Sequence, residues 1–221
     1  MCRNLARIAA SVCQTCVDIP ARTQSLEPGA VNLLLKAASH PSISICGIVL
    51  PVLCQASSSD SSIVQQLLPV LQRRAIAPHY MKSGQLMLGG MSDGDFHTFQ
   101  QFRDHELADA LIACWKVSGD NYMDSCTSAV EEFCLDRSSI EVSLHLEAAL
   151  YCLEVVAGSA FGSDAQFRYS RQLRRCLMAL SRKPQSMVAN PLTLAQVCSF
   201  LRKVSFLLKS LGGRHLFDQK L

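Results

Sequence analysis

The residues best placed to do chemistry are arginines. Arg168, Arg171, Arg174 and Arg175 crowd one short stretch, with Arg182 and Lys183 following. Spacings of three and four put Arg168, Arg171 and Arg175 along one stripe of a helix, with Arg174 at its edge. A guanidinium presents a rigid fork of donors, so such a stripe is able to bind carboxylates or phosphates. The plainer reading is a solvated outer face whose cations near Arg182 and Lys183 complement a helix end. Aromatic residues are not interleaved beyond Phe167 and Tyr169, so an acidic protein is expected before a nucleic acid.

Other constellations fall short of the chemistry they resemble. Cys13 and Cys16 form a lone CxxC, and structural zinc needs four ligands held tetrahedrally. Neither Cys126 with Cys134 nor His97 with His105 puts a ligand pair one turn apart. His145, Leu146 and Glu147 match half of a deaminase signature, but no P-C-x-x-C follows. Gly84 and Gly89 have phosphate-loop spacing, yet Gly90 and Met91 stand where Lys and Ser or Thr are required. The acids Asp104, Glu106, Asp109, Glu131, Glu132 and Asp136 read as solvated helix faces. Phe96, Phe99 and Phe102 share a face that suits core packing, or alternatively a phenylalanine-rich ligand. No catalytic, cofactor or metal site is expected, and the chain is not expected to be an enzyme.

The elements that must position these residues are helices. Of the 221 residues, 49% are hydrophobic and only 6% aromatic, which suits helix-on-helix packing. A net charge of +3, from 21 basic and 18 acidic residues, sets up no whole-molecule field for DNA or anionic membrane. Eleven cysteines spread through apolar stretches read as reduced thiols behaving as small hydrophobes. The apolar stretch from Ile43 to Ala56 is too short to span a bilayer and reads as a buried helix. Arg3 and Arg7 ahead of Ile8–Val17 faintly resemble a targeting segment, but a helix cut from a longer chain is the better reading.

Apolar residues recur at helical spacing in blocks separated by Pro, Gly, Ser or Asn. These predict helices over 5–16, 30–39, 41–56, 63–80, 96–117, 122–135, 140–160, 165–182 and 192–211. Ser57–Ser62 supplies a polar turn with an N-cap, and Ser118 with Gly119 closes the fifth block. The Gly-rich stretch over 82–94 reads as a long loop, and no sheet is expected. Pairs of helices at this spacing predict an all-α superhelix of HEAT or armadillo type, four to five hairpins in a single segment over 1–221, with a compact helical bundle as the all-α alternative.

Three stretches in order carry a resemblance. They are LLLKAASHPSISICGIVLPVLCQAS over 33–57, DFHTFQQFRDHELADALIACWKVSG over 95–119, and SLHLEAALYCLEVVAGS over 143–159. Together the chain resembles an internal segment of the importin-β superfamily, the karyopherins, on the transportin-SR branch with its importin and exportin relatives. The resemblance implies a protein-binding solenoid for nuclear transport, shared between nucleus and cytoplasm. It further implies a cargo protein as partner, and Ran GTPase and nuclear pore proteins if part of a full-length receptor, with no membrane insertion and no direct nucleic acid. The alternatives are a scaffold or truncated receptor fragment without transport activity, and an all-α enzyme or nucleic-acid-binding domain.

Overall fold

The computed structural model describes residues 2–18, 27–58, 60–76, 80–82, 85–87, 93–135, 140–160, 168–182 and 191–210. Within these the fold is all-α: α1 (Cys2–Asp18), α2 (Pro28–Ala38), α3 (Ile43–Ser57), α4 (Ser61–Ala75), α5 (Asp93–Phe102), α6 (Ala108–Leu135), α7 (Ile140–Ala160), α8 (Ser170–Ser181) and α9 (Pro191–Ser210). The one exception is a short antiparallel hairpin, β1 (Tyr80–Lys82) with β2 (Gln85–Met87), in the register Tyr80↔Met87 and Lys82↔Gln85.

That hairpin corrects two expectations. Tyr80 belongs to a strand rather than to the end of a helix. The fourth helix stops at Ala75 because Ile76 is already extended, two residues ahead of Pro78, where the chain is biased away from helix. Part of the stretch expected as an open loop is likewise paired, over 85–87, and the helix after it opens at Asp93. The remainder, 83–84 and 88–92, lies outside the described residues. Three-residue strands are too short to show the alternation that announces a strand.

Two compact units form, Met1–Gly119 and Asp120–Leu221. The boundary falls inside α6, where Gly119 takes a φ of 22° and leaves helical geometry. Glycine alone adopts positive φ without a Cβ clash, which is why this break sits on it.

In the first unit α3 is the central helix. Ile45, Cys46, Val49, Leu50, Val52, Leu53 and Ala56 are all buried, while Pro51 lies on its exposed side. It packs against α1, α2 and α4. Asp60 caps α4 by accepting a hydrogen bond from the Ser62 amide at 2.8 Å. At the other end of α4, Arg74 Nη2 donates to the Pro41 carbonyl at 3.0 Å, so α4 runs back antiparallel to α3.

The fifth predicted block is interrupted. Between α5 and α6 the backbone forms a π-helical turn, Arg103–Leu107. The apolar spacing explains it. Phe102 and Leu107 are five residues apart, and in a regular α-helix Glu106 would share the face of Phe102. The wider turn leaves Glu106 exposed and carries Leu107 into the core with Phe99 and Phe102.

The second unit holds four helical arms: residues 120–135 of α6, then α7, α8 and α9. Tyr122 Oη donates to the Cys152 carbonyl at 2.7 Å, and the Phe133 and His145 rings lie 5.0 Å apart. As one index rises the other falls, so α6 and α7 are antiparallel. The next packings have the opposite sense. Asp120 meets Arg168, Asp124 meets Gln172 and Thr127 meets Cys176, at separations of 48, 48 and 49 residues, so α6 and α8 are parallel. Ser143 accepts from Thr193 through its carbonyl, and Glu154 meets Gln196, Ser199 and Lys203, so α7 and α9 are parallel too. Glu141–Ala160 is the described stretch long and apolar enough to cross a membrane by length and composition, and 67% of it is buried inside the protein.

Candidate binding surface on the arginine helix

The arginines first noted in the sequence lie on and just ahead of α8. The packing of α8 on α6 divides them. Arg168 forks onto Asp120, with Nε 3.0 Å from Oδ1 and Nη2 2.8 Å from Oδ2. Its guanidinium also lies over the Tyr169 ring at 5.5 Å. Arg175 forks onto Glu131, with Nε 2.9 Å from Oε1 and Nη2 on Oε2, and its Nη1 lies 3.6 Å from Asp124 Oδ1. Gln172 Nε2 donates a hydrogen bond to Asp124 Oδ1 at 3.1 Å. Thus Arg168 and Arg175 bind carboxylates, as their geometry suggested, but the carboxylates belong to the same unit.

These pairs differ in weight. The Arg168 and Asp120 side chains are 61% and 58% exposed, so solvent screens them. The Arg175 and Glu131 side chains are only 32% and 33% exposed. The Arg175 hydrogen bonds hold the Glu131 carboxyl below its ordinary value, against the opposing effect of burial. Glu131 is therefore a packing group, where the sequence suggested a solvated one. The signal that could have found it is the acidic stripe Asp120, Asp124 and Glu131, which meets Arg168, Gln172 and Arg175 at offsets of 48, 48 and 44 residues.

Arg171, one turn ahead of Arg175, and Arg174 lie on the exposed flank of α8, so the stripe expected for Arg168, Arg171 and Arg175 is only partly engaged. Both are exposed, and neither forms an ion pair with a described residue. Arg182 is exposed at the end of the helix, and Lys183 lies outside the described residues.

The remaining sequence candidates are distributed as follows. Phe99 and Phe102 are buried, which is the core reading, and Phe96 is half-buried. Among the described residues no group of His, Cys, Asp and Glu is arranged to hold a metal ion. His97 and His105 are exposed, Cys126 is buried and Cys134 partly so. The side chains of Cys13 and Cys16, the glycines Gly84, Gly89 and Gly90, and Asp136 lie outside the described residues. His145 Nδ1 is 2.7 Å from the Glu141 carbonyl one turn back, and Glu147 is buried in α7. Asp104, Glu106 and Asp109 are exposed.

Burial raises the Cys176 thiol to about 12, and those of Cys46 and Cys54 to about 11. Thiols so placed are poor nucleophiles. Cys46, Cys54, Cys176 and Cys198 are in no disulfide. The chain matches no family model, no curated protein and no solved structure.

Proposed function

We propose that this chain is a protein-binding α-solenoid segment of nuclear-transport-receptor type, acting by binding rather than by catalysis. One observation carries the solenoid reading: in the second unit alternate helices pack in parallel while successive helices run antiparallel. That is the geometry of one helical hairpin stacked on the next, with a shift of about one hairpin per contact. Such stacking builds an extended surface suited to an elongated partner. The three ordered motifs over 33–159 supply the transport part of the proposal, with a cargo protein as partner, and Ran GTPase and nuclear pore proteins as partners if the chain is part of a full-length receptor.

The test is nucleotide dependence. Partners captured on the purified chain from a nuclear import extract are challenged with GTP-locked or GDP-bound Ran. Release by the GTP form alone supports the transport reading. Capture that is indifferent to nucleotide supports the scaffold alternative, and no capture at all counts against both.

A further inference from the structure

The second unit is electrically polarised along the chain. Residues 120–164 carry Asp120, Asp124, Glu131, Glu132, Glu141 and Glu154 among their acids, against a single Lys or Arg, Arg137. Residues 165–217 contain no Asp or Glu at all. The helices of the first stretch, α6 and α7, thus present carboxylates to α8 and α9, and Arg168, Arg175, Gln196 and Ser199 answer them. On their far side the same two helices have cations left over.

That far side is also apolar. On α9 the exposed residues are Pro191, Leu194, Ala195, Cys198, Leu201, Arg202 and Ser205. At 3.6 residues per turn they fall in one arc of about 120°. Gln196, Ser199 and Lys203, which meet Glu154 on α7, lie outside that arc. On α8 the exposed residues Arg171, Arg174, Met178 and Ser181 fall in one arc that borders the contact of Gln172, Arg175 and Cys176 with α6. The arc on α9 therefore faces away from α7, and the arc on α8 opens beside its contact with α6. Met178, Leu194 and Leu201 are 41%, 40% and 40% exposed. An apolar stripe rimmed by charge marks an interaction surface, whereas scattered single exposures do not.

We propose that the exposed arcs of α8 and α9 form one open side, which docks an acidic amphipathic helix of another protein. The proposal deepens the protein-binding reading above by naming a face and a partner chemistry. The inner side of α8 supplies the precedent, since it already grips a helix whose carboxylates recur one turn apart, Asp120 and Asp124, with a further acid at Glu131. Leucines of the incoming helix would cover Leu194, Cys198 and Leu201, while its carboxylates reach Arg171, Arg174 and Arg202. Charge argues against a second copy presenting its first helices, because the exposed residues of α1 and α2 include Arg3, Arg7 and Lys36. The forked carboxylate contacts on α8 favour a helix over an anionic lipid surface.

The experiment titrates the full chain with a synthetic amphipathic helix bearing leucines on one face and glutamates flanking them. A matched helix carries lysines in place of the glutamates. The glutamate helix is expected to bind, and to slow alkylation of Cys198, followed by mass spectrometry, by about tenfold at saturation. Arg174→Glu with Arg202→Glu should weaken that binding at least about tenfold and allow the lysine helix to bind instead. Leu194→Ser with Leu201→Ser should also abolish it. These positions are exposed, so the fold is retained, and the charge swap recovers binding if it is. Equal binding of the two helices, or no binding of either, overturns the proposal. So does self-association that depends on Leu194 and Leu201, or sedimentation with phosphatidylserine vesicles that depends on Arg174 and Arg202. Helix binding does not depend on nucleotide, so a failure here is distinct from a failure of the Ran test.

Discussion

Replacing Arg175 with methionine and Glu131 with glutamine, singly and together, measures what holds α8 in register on α6. The pair is a forked contact, Nε to Oε1 at 2.9 Å with Nη2 on Oε2, and a third exposed on each side. Fully exposed pairs couple by about 0.2–1 kcal/mol, and a forked, partly buried pair belongs at the upper end, so about 1 kcal/mol is expected. Hydrogen exchange reads it locally, because opening of α8 need not unfold the whole unit. A coupling of that size makes the loss of α8 amide protection in the double variant about fivefold smaller than the product of the two single effects. Arg175 holds the Glu131 carboxyl below its ordinary 4.5, so the unfolded state takes up the proton first on acidification. The coupling is then complete at neutral pH and is lost as pH falls below about 4.5 through the depressed value. It should also weaken with added salt. Coupling below about 0.3 kcal/mol would refute the reasoning and leave the register to Leu173 and Cys176 in the apolar seam.

Tyr122→Phe removes a buried hydrogen bond to the Cys152 carbonyl and should cost about 1 kcal/mol in urea unfolding of the second unit. Gly119→Ala puts a Cβ on a residue with φ of 22° and should destabilise by about 1–2 kcal/mol, read by thermal melting. In alkylation at pH 8, exposed Cys198 should react ahead of Cys46, Cys54 and Cys176, whose thiols burial holds at about 11 to 12. Early modification of Cys176 in the folded chain would show that α8 does not cover it.

Much of the fold was legible because helix formation is decided locally. The apolar spacing from Ile140 to Ala160 predicts α7 to the residue, Pro191 opens α9, and the serine-rich turn supplies the Asp60 cap. Where a feature depends on groups far apart in the chain, the pattern was silent. A gap of five between Phe102 and Leu107 is visible in the sequence, but only burial of both makes a π-turn preferable to exposing Leu107.

The arginine stripe shows the same division. Its residue types and spacing are written in the sequence, and so is its capacity to fork onto carboxylates. The sequence alone leaves Arg168, Arg171, Arg174 and Arg175 equivalent in that respect. Tertiary packing separates them, because residues 44 to 48 positions earlier, Glu131 and Asp120, come within reach of Arg175 and Arg168 while Arg171 and Arg174 stay exposed. Partner choice for a charged side chain depends on which surface comes within about 4 Å, and helical periodicity fixes a face without naming its neighbour.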